Sequence, residues 1–200
     1  AKIIAEAICS HRKIAVYGDY DVDGITSTAI FVKFLRSLNV DVVWHVPTRD
    51  GEGYGLNTGA IDELINSGAT VLVTVDCGIS CVAEVEYAKS HGLTVVVTDH
   101  HSPDSVLPNA DAVVNPKRVD DTSGLNYLAG VGVAFLTLVA VNRELRNCSN
   151  GTVCELQSQI NLMDYMDLVA LGTICDTMPL VGLKRAFVST GLRVMDGRKN

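Results

Sequence analysis

Short apolar runs, each halted by a glycine, an acid or a proline, punctuate the first half of the chain. Ile14–Tyr17 stops at Gly18, Asp41–Val46 at Pro47, Thr70–Val75 at Asp76, Thr94–Thr98 at Asp99, and Ala112–Val114 at Asn115-Pro116. Their brevity and β-branched content predict strands buried on both faces. Around them the spacing becomes helical, over Ile3–Cys9, Ile25–Leu38, Ala60–Ser67 and Val82–His91. Within the second of these, Ile30, Phe31, Phe34, Leu35 and Leu38 fall on one face. Pro47–Gly59, with Gly51, Gly53, Gly55 and Gly59, reads as a long loop, where function tends to concentrate. After Pro116 the pattern gives only helices, at Val131–Leu145, Leu162–Gly172 and Leu183–Met195, with Arg146–Thr152 as a polar surface loop.

Strands alternating with helices predict an α/β fold: a parallel five-stranded sheet with flanking helices, joined by right-handed crossovers and followed by a mostly helical C-terminal segment. The expected division is an α/β domain over 1–116, holding Asp21, Asp76 and His100, and a helical continuation over 117–200 that carries Asp176. The sequence begins without methionine and stops at Gly197-Arg198-Lys199-Asn200, directly after a helix. We therefore expect part of a longer protein, with further C-terminal domains outside this chain.

Composition narrows the class. The 48% hydrophobic content and mean hydropathy of +0.25 suit a sheet covered on both faces. No apolar run approaches the roughly 18 residues that span a bilayer, and Ala1-Lys2-Ile3-Ile4-Ala5-Glu6 lacks the plan of a secretory signal. No membrane association is expected. The six cysteines show neither a Cys-x-x-Cys pair nor zinc-finger spacing, and are expected to be reduced core residues of a cytosolic protein. A net charge of −7 argues against a chain that coats nucleic acid electrostatically, although two bound divalent cations would bring it to −3.

The chemistry gathers in four segments: Gly18-Asp19-Tyr20-Asp21-Val22-Asp23-Gly24, Val75-Asp76-Cys77-Gly78, Thr98-Asp99-His100-His101 and Leu171-Gly172-Thr173-Ile174-Cys175-Asp176. Sites in parallel sheets lie beyond the carboxyl ends of the strands, where Asp19, Asp21, Asp23, Asp76, Asp99 and His100 all fall. Asp21 and Asp23 can each serve one of two ions, and Gly24 permits close backbone approach before the helix begins. Asp76 has two oxygens and can bridge. His100 supplies an imidazole, and Asp176 can complete the second ion's ligands. Such donors suit hard or borderline divalent cations, and a pair of them promotes in-line phosphoester hydrolysis by water. Asp23 or Asp99 alone would read as a helix N-cap, and adjacent histidines alone as incidental. Four acid-rich segments together are hard to obtain by capping.

Asp99-His100-His101 is the signature of the DHH phosphoesterase family, and Gly18–Gly24 resembles its first motif. The chain is most similar to the RecJ branch, the single-strand-specific 5′→3′ exonucleases. That narrower resemblance rests on Glu52-Gly53-Tyr54-Gly55-Leu56-Asn57, Val114-Asn115-Pro116-Lys117, Ala129-Gly130-Val131-Gly132-Val133-Ala134-Phe135 and Asp176-Thr177-Met178-Pro179-Leu180. It covers nearly the whole chain. It implies Asp21, Asp23, Asp76, His100 and Asp176 as ligands of two manganese or magnesium ions, with Asp76 bridging and catalytic. His101 is implied as the catalytic histidine on the substrate side, touching the scissile phosphate or protonating the leaving oxygen. Many members carry a histidine four residues before the position of Asp21; Tyr17 stands there, so the first ion lacks that ligand, and either Asp19 substitutes for it or that ion binds weakly. Single-stranded DNA as partner, repair and recombination as process, a cytoplasmic monomer, and single-strand-binding protein or helicase contacts through the missing domains are further implications.

Lesser candidates complete the expectation. Arg49 can grip a phosphate and Tyr54 can stack on a base. Gly130-x-Gly132 can offer amides to a phosphate, although close helix packing explains the pair as well. Asp99 is expected to orient the histidines, and Asn115 either does the same or serves as a turn residue before Pro116. His11, His45 and His91 carry no motif, Trp44 is expected in the core, and Lys184-Arg185 on a solvated helix face. Two readings compete with the exonuclease: a DHH-type phosphodiesterase of short oligonucleotides or cyclic dinucleotides, and a non-catalytic replication scaffold.

Overall fold

The computed structural model describes residues 1–48, 55–177 and 179–197. In chain order its elements are α1 (Lys2–Cys9), β1 (Ile14–Gly18), α2 (Val22–Ser37), β2 (Val42–His45), α3 (Thr58–Asn66), β3 (Val71–Val75), α4 (Val82–Ser90), β4 (Thr94–Thr98), β5 (Ala112–Val114), α5 (Gly130–Glu144), α6 (Gly151–Gln159), α7 (Met166–Cys175) and α8 (Gly182–Asp196). Short 3₁₀ turns at Leu145–Asn147 and Leu162–Tyr165 precede α6 and α7.

The strands form one five-stranded sheet, ordered β2-β1-β3-β4-β5, and every pairing is parallel. The chain steps outward from β1 to β2, then returns to the other side for β3, β4 and β5. Ligand crevices open where such an order reverses, here between β1 and β3. Register then does the local work. Gly18 pairs with Val75, Val75 with Thr98, and Thr98 with Val114. The residues that follow those strands, Asp19, Asp76, Asp99 and Asn115, therefore leave the sheet side by side.

Alternation along the strands builds two cores. Ile14, Val16, Val71, Val73, Val75 and Val96 pack with α1, α2, α5 and α7, while Ala15, Tyr17, Leu72, Val95 and Val97 pack with α3 and α4. The helices of the second half thus cover the same face as α2. Two glycines permit this: a side chain at Gly172 would strike Thr26 of α2, and one at Gly191 would strike Met166 of α7.

Four expectations need correction. Gly151–Gln159 is the helix α6, where a surface loop was expected through Thr152. Only Val153 and Gln157 are buried along it, so its apolar periodicity is too weak to read. Trp44 lies on edge strand β2 and is 54% exposed rather than in the core. Cys9 and Cys148 form a disulfide that ties the end of α1 to the segment after α5; of the remaining cysteines Cys77 is buried, Cys81 and Cys154 half-buried, and Cys175 exposed. Finally, α2 begins at Val22, so Asp23 and Gly24 lie inside its first turn. Among the described residues, no helix is long and apolar enough to cross a membrane.

Candidate metal centre

Asp21 is the N-cap of α2, its Oδ1 accepting from the Gly24 amide at 2.9 Å. The cap stays exposed. Gly24 has no alternative, because a Cβ there would meet the Asp19 backbone. Asp23, two residues further in and within the first turn, is buried. Its two oxygens accept from the amides of Gly130 (2.7 Å) and Val131 (2.8 Å), so the N-terminus of α5 holds this carboxylate. Burial still raises the Asp23 carboxyl to about 6, against the pull of those amides and of His100. The Gly130 amide, weighed as a phosphate donor against close packing, is thus directed at Asp23. Gly132 packs against Leu128 and Phe187.

Asp76 ends β3 with φ +62, a backbone conformation uncommon outside glycine and tolerated by aspartate. It is 1% exposed, and a Cβ on Gly130 would collide with its carboxylate. Neither of its side-chain oxygens has a hydrogen-bond partner among the described residues. Burial, then the charges of Asp23 and Asp21, push its carboxyl up to about 10. A buried carboxylate without donors is untenable as a bare anion, and a cation is the ordinary remedy.

Asp99 is the contrast. Oδ2 accepts from the Ile79 amide (2.9 Å), and Oδ1 from the amides of His100 (2.6 Å) and His101 (3.0 Å) and from His101 Nδ1 (2.7 Å). Burial alone would raise this carboxyl, but the donors outweigh it and hold it below the usual range. In return Asp99 pushes the His101 imidazole up to about 9. The His101 side chain is 54% exposed and so reaches the open side of the site.

His100 Nδ1 lies 3.0 Å from the Leu128 carbonyl, which can only accept, so Nδ1 carries the proton. In the neutral ring, favoured because burial lowers its pKa, Nε2 then presents a lone pair. That atom sits 3.1 Å from Asp76 Oδ1, 3.8 Å from Asp23 Oδ2 and 3.9 Å from Asp176 Oδ1. A lone pair facing three carboxylates is the arrangement of a cation site, its tautomer fixed by the bond behind it.

Among the described residues, ligand-capable atoms lying within 4.8 Å of one another fall into three overlapping groups: Asp19, Asp21 and Asp76; Asp23, His100 and Asp176; and Asp76, His100 and His101. Asp76 links the first group to His100. These oxygen-rich donor sets fit divalent cations. Asp19 belongs with Asp21 and Asp76 in space; its Oδ1 accepts from the Tyr20 amide at 2.7 Å, and burial raises its carboxyl. Tyr17 faces the opposite core, its hydroxyl donating to the Gly55 carbonyl (3.2 Å) and accepting from Asn57 Nδ2 (3.1 Å). Asn115 donates to the His101 carbonyl (2.8 Å), holding the backbone of that histidine rather than its ring. Arg49 and Tyr54 lie outside the described residues.

One residue here escaped the sequence reading. Lys184, expected on a solvated face, has 0% exposure and donates to Asp176 Oδ2 at 3.0 Å. The signal was present: Lys184, Phe187, Val188 and Gly191 follow helical spacing and are the buried residues of α8.

The family "DHH family, N-terminal domain" matches residues 13–173. The single-stranded-DNA-specific exonuclease RecJ of Escherichia coli (strain K12) is 43% identical over 202 residues, covering 98% of this chain and 34% of that protein. RecJ of Dickeya dadantii (strain 3937) is 42% identical over 200 residues, again covering 98% and 34%. A crystal structure of exonuclease RecJ bound to manganese superposes with a TM-score of 0.81 at 38% identity, over 96% of this chain and 46% of that one. The chain thus spans about a third of the length of these two relatives. Matched from the lysine before β1 to the last turn of α7, the chain belongs to the DHH family.

Proposed function

We propose that this chain is the catalytic core of a metal-dependent exonuclease that degrades single-stranded DNA from its 5′ end. The observation that carries the reading is Asp76, a buried carboxylate with two unpartnered oxygens placed between two groups of donors. Asp21 and Asp19 with Asp76 would hold one manganese or magnesium ion, and Asp23, His100 and Asp176 the other, with Asp76 shared. When bound, the pair supplies charge stabilisation for the attacking and leaving oxygens of an in-line displacement and lowers the pKa of water toward neutrality.

The chain's own groups do the rest. The α5 amides orient Asp23, and the Leu128 carbonyl keeps the proton of His100 on Nδ1. Asp99 holds the Nδ1 proton of His101 and favours the imidazolium, so the second proton sits on Nε2. From that atom His101 can donate to a phosphate oxygen or protonate the leaving oxygen. The similarity to RecJ supports single-stranded DNA as substrate, repair and recombination as the process, and the cytoplasm as the place. In this reading residues 1–116 and 117–200 form one catalytic unit. Further C-terminal domains would thread the strand and contact a single-strand-binding protein or helicase, and the protein acts as a monomer.

Digestion of single strands labelled at the 5′ or the 3′ end, with manganese added, tests the proposal. Early release of the 5′ label as a mononucleotide is expected. Cleavage confined to dinucleotides or cyclic dinucleotides would replace the exonuclease with the small-substrate reading, and inertness toward every phosphodiester would leave the scaffold.

A further inference from the structure

Lys184 has no part in the reaction just described, yet it is the largest unexplained charge near it. It sits on the buried face of α8 with no exposed surface, and its ammonium is 3.0 Å from Asp176 Oδ2. The other oxygen of Asp176 faces His100 Nε2 at 3.9 Å. Asp176 therefore stands between a fixed internal cation and the group it forms with Asp23 and His100. No other lysine or arginine pairs with Asp19, Asp21, Asp23, Asp76 or Asp176 among the described residues.

We propose that Lys184 sets the order in which the two cations bind: it makes the Asp23–His100–Asp176 group the weaker site. Resting on the two-cation reading above, the inference follows from charge. With Asp76 shared, each site adds two carboxylates of its own, Asp19 and Asp21 at one, Asp23 and Asp176 with the neutral His100 at the other. Lys184 already neutralises Asp176, so the second site is left with the smaller negative charge. A divalent ion entering there meets an ammonium that it cannot displace to water, because Lys184 is enclosed by α7 and α8. In exchange, Lys184 fixes Asp176 and offsets part of the acid crowding before any cation arrives.

Manganese binding, read from the electron paramagnetic resonance of the free ion, tests this without recourse to activity. Wild type should load in two resolved steps. Lys184→Gln keeps a donor for Asp176 and removes the charge. It should tighten the weaker step by at least about tenfold, a conservative fraction of the interaction between like charges a few ångströms apart, and leave the tighter step within about twofold. It should also lower the metal-free melting temperature, with the deficit recovered on adding manganese. An unchanged or weakened second step overturns the proposal. No bound manganese in wild type overturns the two-cation reading itself, a different failure. If circular dichroism shows Lys184→Gln unfolded, Lys184→Arg asks the converse: with the charge kept, the second step should stay within about threefold, and a tenfold shift overturns the proposal.

Discussion

Asp76 and Asp99 leave neighbouring strands side by side, both 1% exposed, yet among the described residues Asp99 accepts four hydrogen bonds while Asp76 accepts none. Burial is the same, so burial does not distinguish a scaffold acid from a candidate ligand. The supply of donors does. At the end of β4 the turn directs its amides at the carboxylate, and the acid stiffens the loop that carries both histidines. At the end of β3 the positive φ of Asp76 is followed by Gly78 with φ +103, and the turn sends no amide to the acid it presents. Under the proposed reading, a divalent cation would meet the demand that this turn leaves open.

The largest effect expected from this contrast is that of Asp76→Asn. The substitution removes the shared charge, so hydrolysis of a labelled single strand should fall by about 10³-fold or more, several kilocalories of transition-state stabilisation. Without metal the same variant should melt higher than wild type near neutral pH, because the wild-type carboxyl must take up a proton to be buried there and a neutral amide need not. Retained turnover, or a lower metal-free melting temperature, would break the contrast. Asp99→Ala should behave in the opposite sense. It strands the amides of Ile79, His100 and His101, each at about 1–3 kcal/mol. Urea denaturation should record a loss of about 3–5 kcal/mol, and a loss under about 1 kcal/mol would mean the loop holds itself without the acid.

Acidity separates the two positions further. The folded carboxyls of Asp76 and Asp23 are raised, to about 10 and about 6, so the fold favours their protonated forms. That contribution is complete below the unfolded value near 4 and declines as pH rises through the folded values. His101, raised to about 9, loses its contribution in the same direction between about 6.5 and 9. Asp99 is lowered and contributes above its unfolded value, losing this only in acid. Melting temperatures of the metal-free protein should therefore fall from pH 5 to pH 9, and added manganese should flatten the decline. A metal-free stability that climbs over this range would contradict the assignment of Asp76.

The legible parts of the molecule are those whose determinants are local. Strand-end acids announce themselves because an apolar run stops at them, and parallel register then places Asp19, Asp76 and Asp99 in one row. The partners of those acids are not local: the Gly130 amide reaches Asp23 across 107 positions, and Cys9 meets Cys148 across 139. No spacing rule encodes such meetings. Residue type misled in two places. Lysine reads as solvent and tryptophan as core, yet Lys184 is enclosed on an apolar face while Trp44 lies on an edge strand. Helix α6 was hidden because its polar residues leave almost nothing to bury.

The smallest effect worth measuring belongs to the far end of the scaffold row. Asn115 follows β5 as Asp99 follows β4; its amide donates to the His101 carbonyl at 2.8 Å, and its Oδ1 accepts from the Lys117 amide at 2.7 Å. Asn115→Ala leaves one acceptor and one donor to find new partners. Because the neighbouring His101 side chain is half exposed, water can reach part of this loss. The expected cost is about 1 kcal/mol by urea denaturation, with manganese affinity unchanged, since Asn115 touches the histidine's backbone and not the ring. If manganese binding weakened as much as in Asp76→Asn, the row of strand ends would act as one cooperative site, and the distinction between scaffold and candidate ligand would have to be drawn elsewhere.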